Sequence, residues 1–436
     1  MQRGVSLNGS EITIADSYIN EIHGTGYDTQ ALCGWNGPGP FHIVNNYLEA
    51  AGENILFGGA DPSIANLIPS NIEIRYNYVF KPLKWKVGDP SYAGIHWSVK
   101  NLLELKMARN VMIDGNTFEN SWGDAQIGYA ILFTVRNQDG KAPWAIIENV
   151  TFTNNIIKNS DQGFQLLGSD NLNPSQRCTG LLIRNNLFQG ISNRFLTMTG
   201  YNNVTLEHNT HEQGGNIMSL YGETFTGFSY VNNVTFRNPN GYGIFGDSVG
   251  EGTAALEKYA PGYDLRGNVI AGALSMFYPS GNFYPSDLSN ISSYKGTDGL
   301  VPGFMGVTVS PTPTPVPSPS PSATPTPSPS PTATPLPSPT PPPSPSPIPS
   351  CSMTVNSPVL AQWSSGKLVV NVSGFSSPST LTATQTSGQV TVDPPTSRSI
   401  SGSSVIVEFG LQAKKKSSSV IVSGPCGSQT VNVTVR

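Results

Sequence analysis

Nine times between residues 12 and 270 the chain repeats one short pattern: two apolar residues two apart, an Asn three positions on, and a further apolar residue two beyond it. The clearest copy is Val150-x-Phe152-x-x-Asn155-x-Ile157. Others stand at Phe41/Ile43/Asn46/Leu48, Ile72/Ile74/Asn77/Val79, Val111/Ile113/Asn116/Phe118 and Leu181/Ile183/Asn186/Phe188. Weaker copies follow at Val204/Leu206/Asn209/His211, Phe228/Tyr230/Asn233/Thr235 and Tyr263/Leu265/Asn268/Ile270. In the first copy, Ile12/Ile14/Ser17/Ile19, Ser17 takes the Asn place.

Apolar residues two apart share one face of a strand. An Asn just beyond them suits the bend that ends the strand, since Asn tolerates left-handed backbone and bonds its own main chain. The steps between key positions are 29, 31, 39, 39, 31, 23, 24 and 35 residues. A repeat of this length, built from a short strand and a polar turn, predicts a solenoid, because one unit cannot bury its apolar face but a stack can. A second apolar stretch follows each Asn, as at Asn54–Phe57, Ala130–Phe133, Gly163–Leu167, Phe195–Met198 and Asn216–Leu220, so each coil holds at least two strands. Like strands would pair in parallel, and the Asn side chains would stack with their amides bonded along the rod.

The fold class expected is therefore all-β: a parallel β-helix solenoid over 1–306, a Pro/Ser/Thr-rich linker over 307–350 and an Ig-like β-sandwich over 351–436. Charged residues are only 12%, while Gly (45) and Pro (37) are abundant, which suits turns and strands rather than helices. Between Ser310 and Ser350, 19 of 41 residues are Pro. Such a segment favours an extended spacer reaching roughly 130 Å at about 3.1 Å per residue. The sandwich is read from alternating runs at Lys367–Val372, Leu381–Thr386, Val390–Val392, Val405–Phe409, Ser419–Val422 and Thr430–Val435. Lys414–Lys416 reads as a solvated turn, or else as a contact to an anionic surface.

A net charge of −4 gives no sign of a nucleic-acid partner, and no apolar run is long enough to span a bilayer. The four cysteines lack metal-ligand spacing. Cys351 and Cys426 bracket the last domain and are a plausible disulfide; Cys33 and Cys178 are expected as free thiols. Met1-Gln-Arg leads straight into the first repeat, with neither a secretion signal nor an N-terminal cap in view. The expectation is that this chain is a fragment whose signal and further repeats lie upstream.

The stretches Gly34–Asn46, Lys100–Lys106 with Asn110–Asn116, and Leu132–Gly140 resemble right-handed parallel β-helix proteins of the pectate-lyase-like superfamily, in particular secreted bacterial repeat proteins. The resemblance covers residues 4–306. It implies an extracellular or cell-surface location and, by analogy of fold, a lyase or hydrolase of acidic polysaccharides. The Asn-Thr-Asp, Asp-Asp, Gly-His-Gly and Arg-Ile-Lys motifs of galacturonan hydrolases are absent, as is the Arg-x-Pro-x-x-Arg feature of many pectate lyases.

The longer coils must release their excess as loops, at 58–70, 81–97, 119–128, 136–144 and 168–180, and a site is expected on that half of the rod. The coils from Asn186 to Asn233 read as purely structural. Between 81 and 109 lie six basic residues (Lys81, Lys84, Lys86, Lys100, Lys106 and Arg109) against only Asp89 and Glu104, a local positive patch. β-Elimination of a uronate polymer needs a base for the C5 proton and positive charge to neutralise the carboxylate. Lys100, Lys106 and Arg136 are the candidate catalytic residues, one of them the base; otherwise they belong to a solvated face with a Glu104–Lys106 surface pair. Glu104, Trp97, Trp122 and Trp144 are candidate substrate-binding residues; the tryptophans otherwise anchor loops. Glu53, Asp61 and Asp124, with Asp139, are candidates for a calcium site. His208 and His211 read as satisfied histidines in or near the core. The expected function is a monomeric, secreted protein that binds an acidic polysaccharide; if it is an enzyme, β-elimination is the reaction that the basic patch favours. The alternatives are a non-catalytic envelope or adhesion rod and a glycoside hydrolase.

Overall fold

A computed structural model describes residues 1–306 and, in the C-terminal region, 351–435 apart from 357, 361–364, 374–378, 388–389, 393–396, 401–403 and 414–416. The proline-rich linker and Lys414–Lys416 lie outside the described residues. No described helix is long and apolar enough to cross a membrane. The chain divides into two compact units, Met1–Ala323 and Thr324–Arg436.

The first unit is a parallel β-helix with three strands per coil. Its first sheet runs from Arg3–Ser6 through Gln30–Gly34, Glu53–Phe57, Leu103–Leu105, Tyr129–Thr134, Gln162–Leu167, Leu196–Thr199 and Met218–Leu220 to Ile244–Gly246, with Gly250–Glu251 added antiparallel at the end. The second sheet runs from Ile12–Ala15 to Asp264–Arg266 and the third from Tyr18–Ile22 to Val269–Ala271, each of nine strands. The first two apolar residues of each repeat lie on the second sheet and the third on the third sheet. Hence Ile43, Ile74, Ile113, Phe152, Ile183 and Leu206 form one buried column, and Leu48, Val79, Phe118, Ile157 and Phe188 another. The second apolar stretches form the first sheet and close the core.

The key Asn residues form an unbroken column at the corner between the second and third sheets. In Asn77 the backbone N–H and Nδ2 both donate to Oδ1 of Asn116, at 2.9 Å each, while Nδ2 also donates to the Ile43 carbonyl of the previous coil at 2.8 Å. The same set recurs from Asn46 through Asn116, Asn155, Asn186, Asn209 and Asn233 to Asn268, which ends on Asn282. From Asn77 to Asn268 every amide in the column is buried with its hydrogen-bonding capacity filled, the condition for placing a primary amide inside a core.

The left-handed backbone position is not the Asn of the repeat, as expected, but the residue before it: Asp16, Asn45, Tyr76, Gly115, Asn154, Asn185, His208, Asn232 and Gly267, with φ between 50° and 68°. The Asn is held by its amide and the bend by its neighbour. Non-glycine residues hold this φ in most coils, but at Gly115 a Cβ would also lie 2.7 Å from the ring of Tyr76 one coil earlier.

The irregular segment after Asp247 folds into the helix Thr253–Tyr259, which packs Ala255, Leu256 and Tyr259 against the end of the rod. Residues 297–305 then run back along the bend column, bonding Asn232, Thr210 and Asn185 in turn. The second unit is a small β-sandwich of a four- and a five-stranded sheet among the described residues, sharing one apolar core that includes Leu368, Val370, Leu381, Phe409 and Val422. Its Cys351 and Cys426 are disulfide-bonded, with Cα atoms 5.3 Å apart. Cys33 and Cys178 are free and buried, and burial pushes their thiols up to about 11 and about 12.

Two buried ionisable side chains bind coils together. Lys81, counted in the sequence as part of a surface patch, is fully buried, and its Nζ donates to the carbonyls of Ala50, Ala51 and Gly52 and to Asn54 Oδ1, at 2.5–2.9 Å. Burial pulls its ammonium down to about 7, but a cage of four oxygens with no donor fits only the charged form. His211 occupies a core position, stacked on Phe195 at 3.8 Å, with Nδ1 2.8 Å from Gln213 Oε1 and Nε2 2.7 Å from Tyr230 Oη. Gln213 spends its amide N–H on Phe236, so Nδ1 is the donor, the Tyr230 hydroxyl donates to Nε2, and the ring is neutral.

Both arrangements are testable. Burial depresses His211 from 6.5 to about 4, so between those values the unfolded chain holds the proton and the folded chain does not. Stability therefore falls as pH drops from 6.5 towards 4, by roughly 3 kcal/mol from this group. Thermal unfolding followed across that range should show a smaller acid loss in His211→Phe; equal losses would contradict a neutral buried ring. Lys81→Met leaves carbonyls without donors and should cost roughly 3 kcal/mol in denaturant unfolding; an unchanged midpoint would contradict the cage.

Candidate functional site

On the first sheet, side chains alternate between core and exterior. Leu103 and Leu105 point inward and are fully buried, so Glu104 points out. The register places Leu56, Glu104, Leu132, Gln165, Thr197, Ser219 and Phe245 in one outward column. Over its middle lies a cleft of about 690 Å³. Loop residues Ala125, Gln126 and Ile127 line it, together with Tyr129, Arg136, Ser169, Asn171, Tyr221 and Glu223.

Glu104 and Lys106 both line this cleft, with Lys106 Nζ 3.5 Å from Glu104 Oε1. They are not the exposed surface pair of the sequence alternative, because the overlying loop leaves Glu104 only 2% exposed. Asn101 Nδ2 donates to Glu104 Oε2 and to Gln126 Oε1, both at 3.0 Å, tying that loop to the floor. Burial pushes the Glu104 carboxyl up, against the pull of Lys106. Arg136 enters the cleft from the next coil, its Nη1 2.7 Å from Asp170 Oδ1 and 2.5 Å from Asn171 Oδ1. Burial would raise Asp170, but the N–H groups of Leu172 and Asn137, together with Arg136, hold its carboxyl below the usual range.

Lys100 does not line the cleft. Its Nζ lies 2.6 Å from Asp28 Oδ2 and 3.2 Å from Glu53 Oε1, and against the effect of burial these carboxylates hold its ammonium above the ordinary value. Lys100 is thus held apart from the cleft that Lys106 and Arg136 line. The broader positive patch dissolves for a related reason. Lys84 pairs with Glu21 and Arg109 with Glu148, while Lys81 is in its cage. Glu148 lies in the next coil and Glu21 two coils back.

The tryptophans anchor loops. Trp85 and Trp122 are buried in a satellite cluster with Ala51 and Val99, and Trp97 packs against it while stacking on His23 at 3.9 Å. Trp144 packs on the core and donates Nε1 to the Leu67 carbonyl. None of Trp97, Trp122 or Trp144 lines the cleft; its aromatic residues are Tyr129 and Tyr221.

The three candidate calcium ligands do not converge. Glu53 takes Gln30 and Lys100, Asp61 accepts from the N–H groups of Asp139 and Lys141, and Asp124 lies 2.6 Å from His96. Among the described residues no three His, Cys, Asp or Glu side chains are placed to hold a metal ion.

The coils expected to be purely structural contribute Thr199, Tyr221 and Glu223 to the cleft. Aligning the second apolar stretches on Glu104 would have marked the outward column, but nothing local distinguishes Tyr221 or Glu223 in the sequence. Comparison of the chain with protein-family models, with curated proteins and with solved structures gives no match.

Proposed function

We propose that this chain is an extracellular, carbohydrate-active β-helix protein, akin to the pectate-lyase-like superfamily, whose cleft binds an acidic polysaccharide and cleaves it by β-elimination. The observation that carries this is the convergence of Lys106 and Arg136 over the buried carboxyl of Glu104, in an open groove on the outer face of the first sheet. Arg136, held by Asp170 and Asn171, is placed to pair with a uronate carboxylate and favour the enolate form. Lys106, in its uncharged amine form, takes the C5 proton and becomes the ammonium, the C4–O bond breaks as the C4–C5 double bond forms, and the leaving oxygen is protonated from solvent. Glu104 is a positioning residue for Lys106. The protein works as a monomer, and the sandwich serves as a separate binding module for a surface, a glycan or a protein.

A second reading has an observation of its own in favour. Lys100, Lys106 and Arg136 are each ion-paired within the chain, as befits a rod that binds or displays without catalysis.

Incubating the full chain with a panel of uronate polymers, with and without calcium, and following the ultraviolet absorbance of the unsaturated product tests the proposal. Product should form, and Lys106→Met and Arg136→Gln should each slow it by about a hundredfold. Binding without product from any polymer would contradict the lyase and favour the rod; neither binding nor product would contradict the glycan site.

A further inference from the structure

A second cavity, of about 370 Å³, adjoins the cleft on the same sheet face and shares Tyr221 with it. It is lined by Arg194, Thr197, Asn216, Ser219, Leu220, Phe245 and Asp247 as well. Thr197, Ser219 and Phe245 are the last three members of the outward column that includes Glu104. The two cavities thus lie on one straight track, from the Leu103–Leu105 strand to Ile244–Gly246. Five parallel-strand steps of about 4.8 Å make that roughly 24 Å, room for several sugar rings end to end.

Arg194 is the unusual group on this track. Lys106, Arg136 and Arg177 are each ion-paired, to Glu104, Asp170 and Glu223. Arg194 has no ion pair among the described residues, and its Nε is buried without a hydrogen-bond partner. A guanidinium Nε–H shielded from water and left without an acceptor is costly within a folded chain. The Nε itself is closed off by the fold, but Arg194 as a whole is part-exposed and lines the cavity, and a guanidinium without an ion pair there favours a planar anion, of which a carboxylate is the group that fits. The loop carrying Arg194 is itself fixed, since its carbonyl accepts from Gly163 N–H at 3.0 Å and the Phe195 ring packs in the core. Asp247, exposed at the same cavity, is the one carboxylate among its lining residues and disfavours any anion that Arg194 does not hold.

We infer that Arg194 forms a second carboxylate-binding subsite, remote from Lys106 and Arg136, so that the ligand is a linear uronate oligomer long enough to place one carboxylate in each cavity. This rests on the glycan-binding role proposed above and adds a length requirement to it.

Titration calorimetry of the full chain with a diuronate and a hexauronate of the galacturonate and mannuronate series tests it, with thermal unfolding as a check that each variant is folded. Arg194→Gln should weaken hexauronate binding by about tenfold or more, the effect of losing a charge-assisted pair, and leave diuronate binding unchanged. Asp247→Asn should strengthen hexauronate binding. Arg136→Gln should weaken both ligands. If hexauronate binds Arg194→Gln as tightly as the parent chain, or if the diuronate weakens in parallel, the second subsite is overturned while the cleft stands. If neither oligomer binds the parent chain, the cleft and the subsite fall together. If Arg194→Gln is unfolded, Arg194→Lys, which keeps the charge but loses the planar fork, should still show a hexauronate-specific loss; none would overturn the subsite.

Discussion

An amide placed inside a protein must fill two acceptor and two donor positions, and in this chain only a neighbouring coil can fill them. Each Asn of the column accepts from the coil before it and donates both to that coil's carbonyl and to the Asn of the coil after it. The corner between the second and third sheets therefore exists only in the stack. It fixes the register of those sheets, and the register fixes which side chains face the core. This explains how steps from 23 to 39 residues are tolerated: the bend and its flanking strand residues stay constant, while surplus chain leaves at other corners as loops. The burden on the backbone falls on the residue before each Asn, and even Tyr76 and His208 are held there with positive φ.

The same stacking explains what was legible in the sequence and what was not. The strands, the column and the outward aim of Glu104 follow from a period that is local in sequence. The meeting of Lys106 with Glu104, two residues away, was legible for the same reason, and Arg136 followed from the next coil. Charge partnership was not legible, because a solenoid pairs residues one or two coils apart. Lys100 meets Glu53 and Asp28, and Lys84 meets Glu21, far back along the chain. A window holding six basic residues therefore looked positive although its compensating carboxylates sat in other coils. Lys81 failed differently, since nothing around it in sequence announces a cage of carbonyls. The crowding of tryptophans was a real signal with a structural cause: long loops need apolar anchors, and Trp85 and Trp122 supply them.

The cleft is the product of both levels. Its floor is a column of outward side chains set by the strand register, and its sides are chain that the core cannot accommodate. A floor set by the strand ladder and sides made of loop is the usual relation between scaffold and site. It also places the two cavities in line along the rod, the arrangement on which the proposed binding of a linear polymer rests.

All of this depends on the Asn column holding adjacent coils in register, and native-state amide hydrogen exchange reads that directly. The backbone N–H groups of Asn77, Asn116, Asn155 and Asn186 bond only to side-chain oxygens of the next Asn, outside any strand ladder. If the column carries the fold, these amides exchange as slowly as the flanking strand amides of Ile74, Ile113 and Phe152, opening only when the rod unfolds. Exchange as fast as that of the loop amides at 123–128 would show that the corner opens on its own and that the stack is held by something else.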